Sequence, residues 1–529
     1  MAKKYDVVVA GGGYNGLTVA SYLAKAGLSV CIIEQNDKVG GGVISREGLT
    51  APGFISDPCS TQHHIAQFSP TLRNDELGLK SKYGLKYIYP PIQESILFSD
   101  GTTFNIYLDV DKTCEEIAQK YGQHDAEAYR RFYEFASYGV DTIVAGFFNP
   151  APAYGLYASM MDSSDESREL LRASRMSCLD VLNEWFENDK VKIGMLRWMS
   201  ETMVNPKTAG TGVTAFTFIG LGHKAPGTGM PVGGSGKLSE ALEAYLKDHG
   251  ADFYLNSTVK KFIIEGGEAK GVLLESGEEI RAEKMCVADL NIKQVFPNMV
   301  TDTKLPDGFA HKVERLRPAS FVPFQQSLAL NSAPSFKAED KSLNEAFFVE
   351  FAPDNMLDFC RFFDDLEYGI PGIQPLVSVP TVHDPSRAPE GKHIMYLYDY
   401  APYRRRDGKD WDDCREEFAD QIYDYVSKYC YNMDRSNIVG RWIMSPRDLE
   451  RMNPAMIGGD IGHIGSFSEQ MLGDRPIPRY NYKTPVDKLM MCGPSTHPGC
   501  GVTLAGRAAA TAILEELGFM IEEVVDNNN

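Results

Sequence analysis

A glycine-rich turn between an apolar strand and a helix constrains the fold of this chain more than any other feature. Residues 7–10 form an apolar run typical of a buried strand, and Gly11, Gly13 and Gly16 follow it at G-x-G-x-x-G spacing. Residues 17–26 then carry helix-forming side chains at a helical period. At this spacing the glycines permit a tight turn, a close approach of the backbone to a pyrophosphate, and close packing of helix on strand. Because the amino end of a helix favours negative charge, the pattern predicts a dinucleotide site.

An acidic residue and a second glycine cluster narrow the choice of dinucleotide. The apolar run 30–33 ends at Glu34, about 20 residues after the glycine turn, where a carboxylate accepts hydrogen bonds from a ribose hydroxyl. Three glycines follow at residues 40–42. A NAD site does not need a second cluster so soon, whereas an FAD site uses one near its second phosphate. The alternative is an ordinary turn.

Length, charge and cysteine usage exclude several classes of protein. The 529 residues are too many for one simple core and predict two or three interleaved domains. A formal net charge of −19 argues against a nucleic-acid partner and against electrostatic docking on anionic lipid, although it permits an apolar patch that touches a membrane. The ten cysteines are scattered, without a C-x-x-C pair or a metal-binding spacing, so we expect a reducing compartment and no metal site.

A cytoplasmic location is the expectation from the same sequence. The first strand begins near Tyr5, which leaves no room for a signal peptide. No apolar run reaches the ~18 residues that span a bilayer. The sequence does not determine the oligomeric state.

The middle of the chain divides into regions of different character. Residues 87–107 are typical of a hairpin and residues 112–144 of a charged helix. Residues 147–222 are apolar and aromatic, and Pro150 and Pro152 rule out one long helix at their start. This region is either a helical insertion that covers a substrate cavity or simply core.

A second glycine-rich segment, PVGGSGK at residues 231–237, lacks the spacing of a nucleotide phosphate loop. Leu238 follows Lys237, so no hydroxyl is placed to bind magnesium, and we interpret the segment as the entry to a helix over 238–249. Short strands are predicted at 252–255, 259–264, 269–275, 279–281 and 287–290. Four further β-rich segments, 316–330, 346–351, 376–380 and 393–401, predict a large sheet, the floor of a substrate domain.

The last part of the chain repeats the strand–glycine–helix arrangement. Residues 489–492 read as a strand and residues 505–517 as an Ala-rich helix, with Gly499, Gly501 and Gly506 around the turn. The amino end of this helix is suited to stabilise partial negative charge on a flavin ring. A closing helix without a ligand would need fewer glycines.

Together these segments resemble the phytoene desaturase-like (carotenoid desaturase/isomerase-type) flavoproteins of the amine oxidase/GDI-type FAD superfamily, over nearly the whole chain. The resemblance is carried by GGGYNG (11–16), Glu34 with glycines 40–42, PGFISD (52–57), PVGGSGKL (231–238), GGDIGH (458–463) and CGPSTHPGCGV (492–502). It implies an α/β fold with a Rossmann-like FAD-binding domain split by insertions, a mixed-sheet substrate domain and a helical insertion. We expect the FAD-binding domain at 1–110, 230–300 and 480–520, the substrate domain at 301–479, and the insertion at 111–229.

The resemblance also implies which residues bind FAD. The pyrophosphate is expected at Gly11, Gly12, Gly13, Tyr14, Asn15 and Gly16, the ribose at Glu34, the adenine at the backbone of Val259, and the flavin ring at Gly493, Val502 and Thr503, with Gln35, Gly41, Gly42 and Val43 as further contacts. Members of the family often place Arg directly after the second glycine pair. Here that position is Gly42, and Arg46 is the nearest alternative for a side-chain contact to phosphate.

The chemistry implied is redox chemistry at carbon–carbon bonds of apolar molecules. No second G-x-G-x-x-G follows a strand, so electrons are expected to leave to oxygen, a quinone or another protein, or not to leave at all. His63, His64 and His497 lie in loops expected near the flavin and are candidate catalytic acids or bases, with a structural histidine as the alternative for each. The roles of His463, Asp57 and Arg507 stay open.

Three functions follow from this resemblance. The first is an FAD-dependent desaturase or dehydrogenase of an isoprenoid or other apolar substrate. The second is a redox-neutral enzyme that uses reduced flavin to hydrate or isomerise a double bond. The third is a non-enzymatic, GDI-like carrier, which the intact set of glycines argues against.

Overall fold

The computed structural model describes residues 3–499 and 501–526, except for the side chain of Pro297; Cys500 lies outside the described residues. The α-helices are Tyr14–Lys25, Pro70–Arg73, Val110–Lys120, Gln123–Phe147, Tyr154–Met161, Asp165–Ala173, Cys178–Trp185, Asp189–Met199, Val213–Gly222, Lys237–Asp248, Ile292–Gln294, Phe309–Arg315, Met356–Glu367, Trp411–Ser427, Pro446–Met452, Gly506–Glu516 and Ile521–Asp526. Within this part of the chain no helix is both long and apolar enough to cross a membrane.

The first sheet has a parallel core. In spatial order its parallel strands are Leu489–Met491, Glu279–Ala288, Lys3–Ala10, Val30–Ile33 and Asp252–Tyr254. The amino-terminal part of Glu279–Ala288 also pairs with Glu268–Leu274, which continues antiparallel to Val259–Glu265. The expectation of two separate strands at 279–281 and 287–290 was wrong, because one strand of ten residues spans both ladders.

Alternating apolar residues explain why helices cover both faces of this sheet. Val7 and Val9 pack into one core with residues of helices Tyr14–Lys25, Lys237–Asp248 and Gly506–Glu516. Val8 and Ala10 point the other way, into a second core. Because parallel strands are buried on both faces, they read as continuous apolar runs, as residues 7–10 and 30–33 do.

The carboxyl ends of the parallel strands lie at one edge of the sheet. Gly11, Glu34 and Asp289 each directly follow one of these strands, and Gly493 comes two residues after another. In open α/β sheets this edge is where ligands bind. The fold therefore gathers residues separated by almost the whole chain at one place.

The second sheet is mixed, as predicted. Its strands in spatial order are Ile438–Met444, Val322–Leu330, His393–Ala401, Leu376–Ser378, Val349–Ala352, Ile92–Phe98 and Thr103–Tyr107. Val349–Ala352 runs parallel to Ile92–Phe98, and the other neighbours are antiparallel. The predicted hairpin at 87–107 thus forms. We expected it in the FAD-binding segment 1–110, but its strands belong to the second sheet. The other domain boundaries stay predictions.

The region 111–229 is helical and packs on the second sheet. A single core joins Phe132 and Phe216 of its helices to Phe104 and Tyr398 of the sheet. The helix Gln123–Phe147 ends before Pro150, and the next begins at Tyr154, which confirms the break predicted from the two prolines. Its helices contribute to a core and also line a cavity, so the region is more than core. That this cavity takes a substrate stays a prediction.

Candidate functional site

The turn after the first strand leaves space for backbone alone. The Gly11 amide donates to the Ile33 carbonyl at 2.9 Å, and Gly11 has a φ of +96°, where glycine is favoured. A Cβ on Gly13 would overlap Asp289 Oδ2, and one on Gly16 would lie 2.8 Å from the Gly11 carbonyl oxygen. The three glycines therefore bring strand, helix and Asp289 into contact.

Glu34 is tied to this turn. Its Oε2 accepts a hydrogen bond from the Gly12 amide at 2.9 Å, and its Oε1 accepts from the Asn36 amide at 2.9 Å. Burial raises the pKa of Glu34, opposed by these hydrogen bonds. The carboxylate lies at the end of the second strand, the position from which a ribose hydroxyl is bound.

The second glycine cluster packs directly on the first. The Gly40 amide donates to the Gly12 carbonyl at 2.7 Å. A Cβ on Gly41 would lie 3.2 Å from the Cα of Gly13. The cluster at 40–42 is therefore a close contact between two backbone loops rather than an ordinary turn.

The carboxyl-terminal unit closes the same site. The Tyr14 hydroxyl donates to the Gly501 carbonyl at 2.5 Å, and the Gly506 amide donates to Asn15 Oδ1 at 3.0 Å. A Cβ on Gly506 would lie 2.5 Å from the Asn15 carbonyl oxygen, so the first and last glycine units share one interface.

One cavity of about 1540 Å³ runs from this edge of the sheet to the second sheet. It exceeds the ~300–1,000 Å³ of typical small-molecule pockets, so it has room for a dinucleotide and a second molecule. The predicted cofactor contacts that line it are Gly11, Gly13, Tyr14, Asn15, Glu34, Gln35, Gly41, Gly42, Val43, Val259, Val502 and Thr503. Gly12, Gly16 and Gly493 are not among the residues that line it.

Asp289 also lines this end of the cavity and was missed in the sequence analysis. Its Oδ2 accepts a hydrogen bond from the Gly16 amide at 2.9 Å. Burial, together with the nearby Glu34, raises the pKa of Asp289 to about 7. Like Glu34, it is the first charged residue after a parallel strand, and that position was the signal that would have identified it.

At the dinucleotide end of the cavity, the groups available to bind a diphosphate are backbone groups and a helix dipole rather than cationic side chains. Among the described residues that line the cavity, Arg175 is the one Arg or Lys, and it is exposed in the helical insertion. The positive dipole end of helix Tyr14–Lys25 suits a diphosphate. Because glycines leave room at each point of approach, these residues fit FAD.

Arg46, the alternative phosphate contact, does not reach the cavity. Its guanidinium pairs with Asp37 on the surface, with Nη1 at 3.1 Å from Oδ2. Arg507 pairs with the carboxylate of Glu76, at 2.8 and 3.0 Å. Neither arginine is among the cavity-lining residues.

The three candidate histidines are not equivalent. His63 is fully buried, with Nδ1 2.8 Å from the Tyr87 hydroxyl and Nε2 2.9 Å from Ser235 Oγ, and it does not line the cavity. His64 lines the cavity, stacks on Trp198 with ring centroids 5.3 Å apart, and leaves Nε2 without a hydrogen-bond partner in the described part of the chain. Burial lowers the pKa of His63 to about 3 and that of His64 to about 4.

Two later histidines reach the same cavity. His497 Nε2 lies 2.8 Å from the Gly146 carbonyl, and its Nδ1 has no hydrogen-bond partner among residues 3–499 and 501–526. His463 Nδ1 lies 3.1 Å from Ser495 Oγ. Burial lowers the pKa of His497 to about 4 and that of His463 to about 3, so both are neutral near neutral pH.

Asp57 has a structural position. Its Oδ2 accepts from the Arg387 guanidinium at 2.5 Å, and its Oδ1 accepts from the Ser235 amide at 3.1 Å and from the Ser45 hydroxyl at 2.5 Å. Both ion-pair partners are buried. This contact explains why PGFISD and PVGGSGK occur together, since the glycine segment packs on Asp57.

Sequence comparisons with known proteins give one family match and several relatives. A family model described as DAO, FAD dependent oxidoreductase, matches residues 6–150. The chain is 29% identical to pyridine nucleotide-disulfide oxidoreductase domain-containing protein 2 of Rattus norvegicus (98% of this chain, 94% of the relative), 26% to a component of the limonene dehydrogenase of Castellaniella defragrans (98% and 96%), and 23% to a lycopene-forming phytoene desaturase of Pseudescherichia vulneris (96% and 99%).

Solved structures agree at the level of the fold. Cyclohexylamine oxidase from Brevibacterium oxydans superposes with a TM-score of 0.59 at 17% identity, over 97% of this chain and 99% of that one. The chain therefore matches the FAD-dependent oxidoreductase family over residues 6–150, is similar along its length to phytoene desaturases, and has the fold of the amine oxidase/GDI-type flavoproteins.

Proposed function

We propose that this enzyme desaturates or dehydrogenates a carbon–carbon bond of a small apolar, isoprenoid-like substrate. The observation that carries the proposal is the continuity of the cavity. Beyond the dinucleotide end its wall is built mainly from aromatic and apolar side chains, including Trp198, Phe218, Phe348, Tyr396 and Tyr398. Two relatives are named for limonene and phytoene, which supports an apolar substrate.

FAD supplies a ring that accepts a hydride from a C–H bond. In this proposal the glycine turns hold its diphosphate, Glu34 its ribose, and Val502 and Thr503 the ring. His64 and His497 line the cavity, and each has one buried ring nitrogen without a hydrogen-bond partner among the described residues. Burial lowers the pKa of both rings to about 4, so both are neutral near neutral pH. They are the candidates to accept or position a proton, and we propose no chemical role for His63.

We propose oxygen or a quinone as the electron acceptor, or none in a redox-neutral reaction. We expect one dinucleotide site on the first sheet, because no second glycine fingerprint follows a strand in the sequence. Nucleic acid is not a proposed partner, because the net charge is −19.

Peripheral membrane contact is proposed at the mouth of the cavity. Tyr138, Tyr154, Leu156 and Met160 are 61, 48, 59 and 60% exposed, on helices Gln123–Phe147 and Tyr154–Met161. Tyr138, Tyr154 and Met160 also line the cavity. An exposed apolar patch of this kind is typical of an interaction site and would admit an apolar substrate directly from lipid.

Anaerobic reduction tests the proposed chemistry. Purified holoenzyme is mixed without oxygen with a panel of apolar alkenes, and the visible flavin absorbance is recorded. We expect at least one compound to bleach the flavin, with recovery of colour when oxygen or a quinone is added. Product formation that needs only catalytic reductant would favour the isomerase or hydratase instead. Absence of bleaching and of product with every compound would contradict both.

A further inference from the structure

Glu201 places a carboxylate in the wall of the substrate end of the cavity. It lies in the short turn Ser200–Thr202, directly after helix Asp189–Met199. Its side chain is 28% exposed, and nearby Trp198, Met203 and Tyr398 line the same cavity. A carboxylate beside these side chains is unfavourable unless something compensates it.

The side of Glu201 away from the cavity is held by a buried network. The Tyr400 hydroxyl donates to Glu201 Oε1 at 2.6 Å, and Arg197 Nη1 donates to the same Tyr400 oxygen at 2.8 Å. Arg197 Nη1 also pairs with Glu350 Oε1 at 2.9 Å, and the side chains of Arg197 and Glu350 are both 0% exposed. The network fixes the position of Glu201 from three separate elements.

Two further carboxyl groups surround this network. Asp399 accepts hydrogen bonds from the Gln374 amide at 3.1 Å and the Tyr400 amide at 2.8 Å, and Glu94 is buried beside Glu350. Burial raises the pKa of Asp399 to about 8, and it also raises the pKa of Glu94 and of Glu350. Three carboxyl groups and one guanidinium are costly to bury together beside Glu201, and a purely apolar substrate would not require them.

A row of tyrosines fixes where Glu201 lies relative to the cofactor end. Tyr396, Tyr398 and Tyr400 alternate along strand His393–Ala401 and share one face. The Tyr396 hydroxyl donates to the Cys59 carbonyl, beside the second glycine cluster, whereas Tyr400 holds Glu201. At about 3.3 Å per residue these two tyrosines are roughly 13 Å apart.

We propose that Glu201 recognises the end group of an otherwise apolar substrate, a hydroxyl or an ammonium that donates a hydrogen bond to its carboxylate. The inference rests on the proposed function and specifies its substrate class. A carboxylate accepts hydrogen bonds from either group and donates none, so its ligand is a hydrogen-bond donor. The reacting bond then lies toward the Tyr396 end, one substrate length from the polar group.

Matched ligands test the proposal on the holoenzyme. Myrcene, geraniol and geranylamine provide a hydrocarbon, an alcohol and an amine on one monoterpene skeleton, and farnesene, farnesol and farnesylamine provide the longer series. Dissociation constants come from anaerobic titration of the visible flavin spectrum. We expect the alcohol or the amine to bind about 10- to 100-fold tighter than its hydrocarbon in at least one series, since a charged hydrogen bond is formed.

Variants separate the two end groups. Glu201→Gln keeps an acceptor oxygen but loses the charge, so it should abolish a preference for the amine and largely keep one for the alcohol. Glu201→Leu should abolish both. Glu469→Gln is the control, because Glu469 also lines the cavity but is exposed and paired with Arg317 at the surface. Flavin content and melting temperature are measured for every variant.

A further variant keeps the test valid if Glu201→Leu does not fold. Tyr400→Phe removes the hydrogen bond to Glu201 while leaving the carboxylate, and it should weaken the same preference by a smaller factor. The proposal is overturned if wild type binds no alcohol or amine more tightly than the matching hydrocarbon, which includes the case in which no compound binds. It is also overturned if the preference survives in both Glu201 variants. Flavin bleaching by a hydrocarbon would still support the proposed oxidation.

Discussion

Gly16 shows how the absence of one side chain assembles this site. A Cβ there would lie 2.8 Å from the Gly11 carbonyl oxygen and 2.9 Å from Asp289 Cβ, closer than real Cβ contacts occur. The sequence predicts this glycine from its spacing alone. The structure adds that the neighbour it accommodates is Asp289, which is 273 residues away in the chain.

Gly16→Ala should therefore lower FAD affinity by at least about tenfold, or 1.4 kcal/mol. Alanine is the better helix former by ~1 kcal/mol, so any loss must come from the contact and not from helix propensity. The measurement is FAD titration of the apoprotein. Gly155→Ala is the control, since nothing lies within 4 Å of a Cβ there. Equal affinities for the two variants would contradict the assigned role.

Asp289 predicts a pH dependence of stability. The pKa of Asp289 is about 7 in the folded protein, above the ordinary value of 3.8. Between pH 3.8 and pH 7, the folded protein therefore keeps a proton on Asp289 that the unfolded chain has lost. Stability from this group is thus fully present below pH 3.8 and is lost as pH rises to about 7.

Asp289→Asn should remove that part of the pH dependence. Thermal unfolding of FAD-free protein at about pH 5 and about pH 8 is compared for wild type and variant. Wild type should lose more stability than the variant over this interval, by up to ~1.4 kcal/mol per pH unit. Identical losses would show that Asp289 titrates normally.

At the scale of elements, helix Tyr154–Met161 differs from the other helices around the cavity. None of its residues is buried, although six of its eight residues are apolar or aromatic. An apolar helix without a buried face is typical of contact with another apolar phase.

The double variant Leu156→Asp/Met160→Asp should reduce binding to neutral phosphatidylcholine vesicles several-fold while flavin content stays unchanged. Leu156 and Met160 are 59 and 60% exposed, so charge there costs little in folding. Leu357→Asp is the matched control, because Leu357 is 78% exposed on a helix that does not line the cavity. Vesicle flotation is the measurement. If both variants and wild type float equally, the patch does not contact lipid.

At the scale of the whole molecule, the ion pair between Asp57 and Arg387 joins the parts of the chain around the two sheets. Asp57 follows the small strand Ile55–Ser56 near the glycine units, whereas Arg387 precedes strand His393–Ala401 of the second sheet. Both side chains are almost fully buried. Removal of one partner leaves an uncompensated buried charge.

Arg387→Met should therefore lower the free energy of unfolding by about 3–5 kcal/mol. Arg451→Met, which breaks an exposed pair with Asp412, should cost no more than about 1 kcal/mol. Denaturant unfolding of both holoproteins provides the comparison. A similar small loss in the two variants would mean that the buried pair does not stabilise the junction.

Local signals account for the parts of the site that were predictable. The glycine turns at 11–16 and 40–42, Glu34 and the carboxyl-terminal glycines depend on steric rules that act over a few residues, so their spacing indicates their use. Asp289 carried the same kind of signal, because it directly follows a strand. Arg46 was a reasonable expectation from position, but Asp37 pairs with it on the surface.

The sequence by itself determined where the glycine turns lie and predicted a dinucleotide site between two distant glycine units, because tight turns and close backbone contacts restrict which residues are allowed. Tertiary structure decided which charged groups reach the cavity. Arg197, Glu350 and Tyr400 meet at Glu201 only because a helix of the insertion packs across the second sheet. Such contacts depend on how elements pack, and no local periodicity encodes them. The same packing turned His63 away from the cavity and left His64 in its wall.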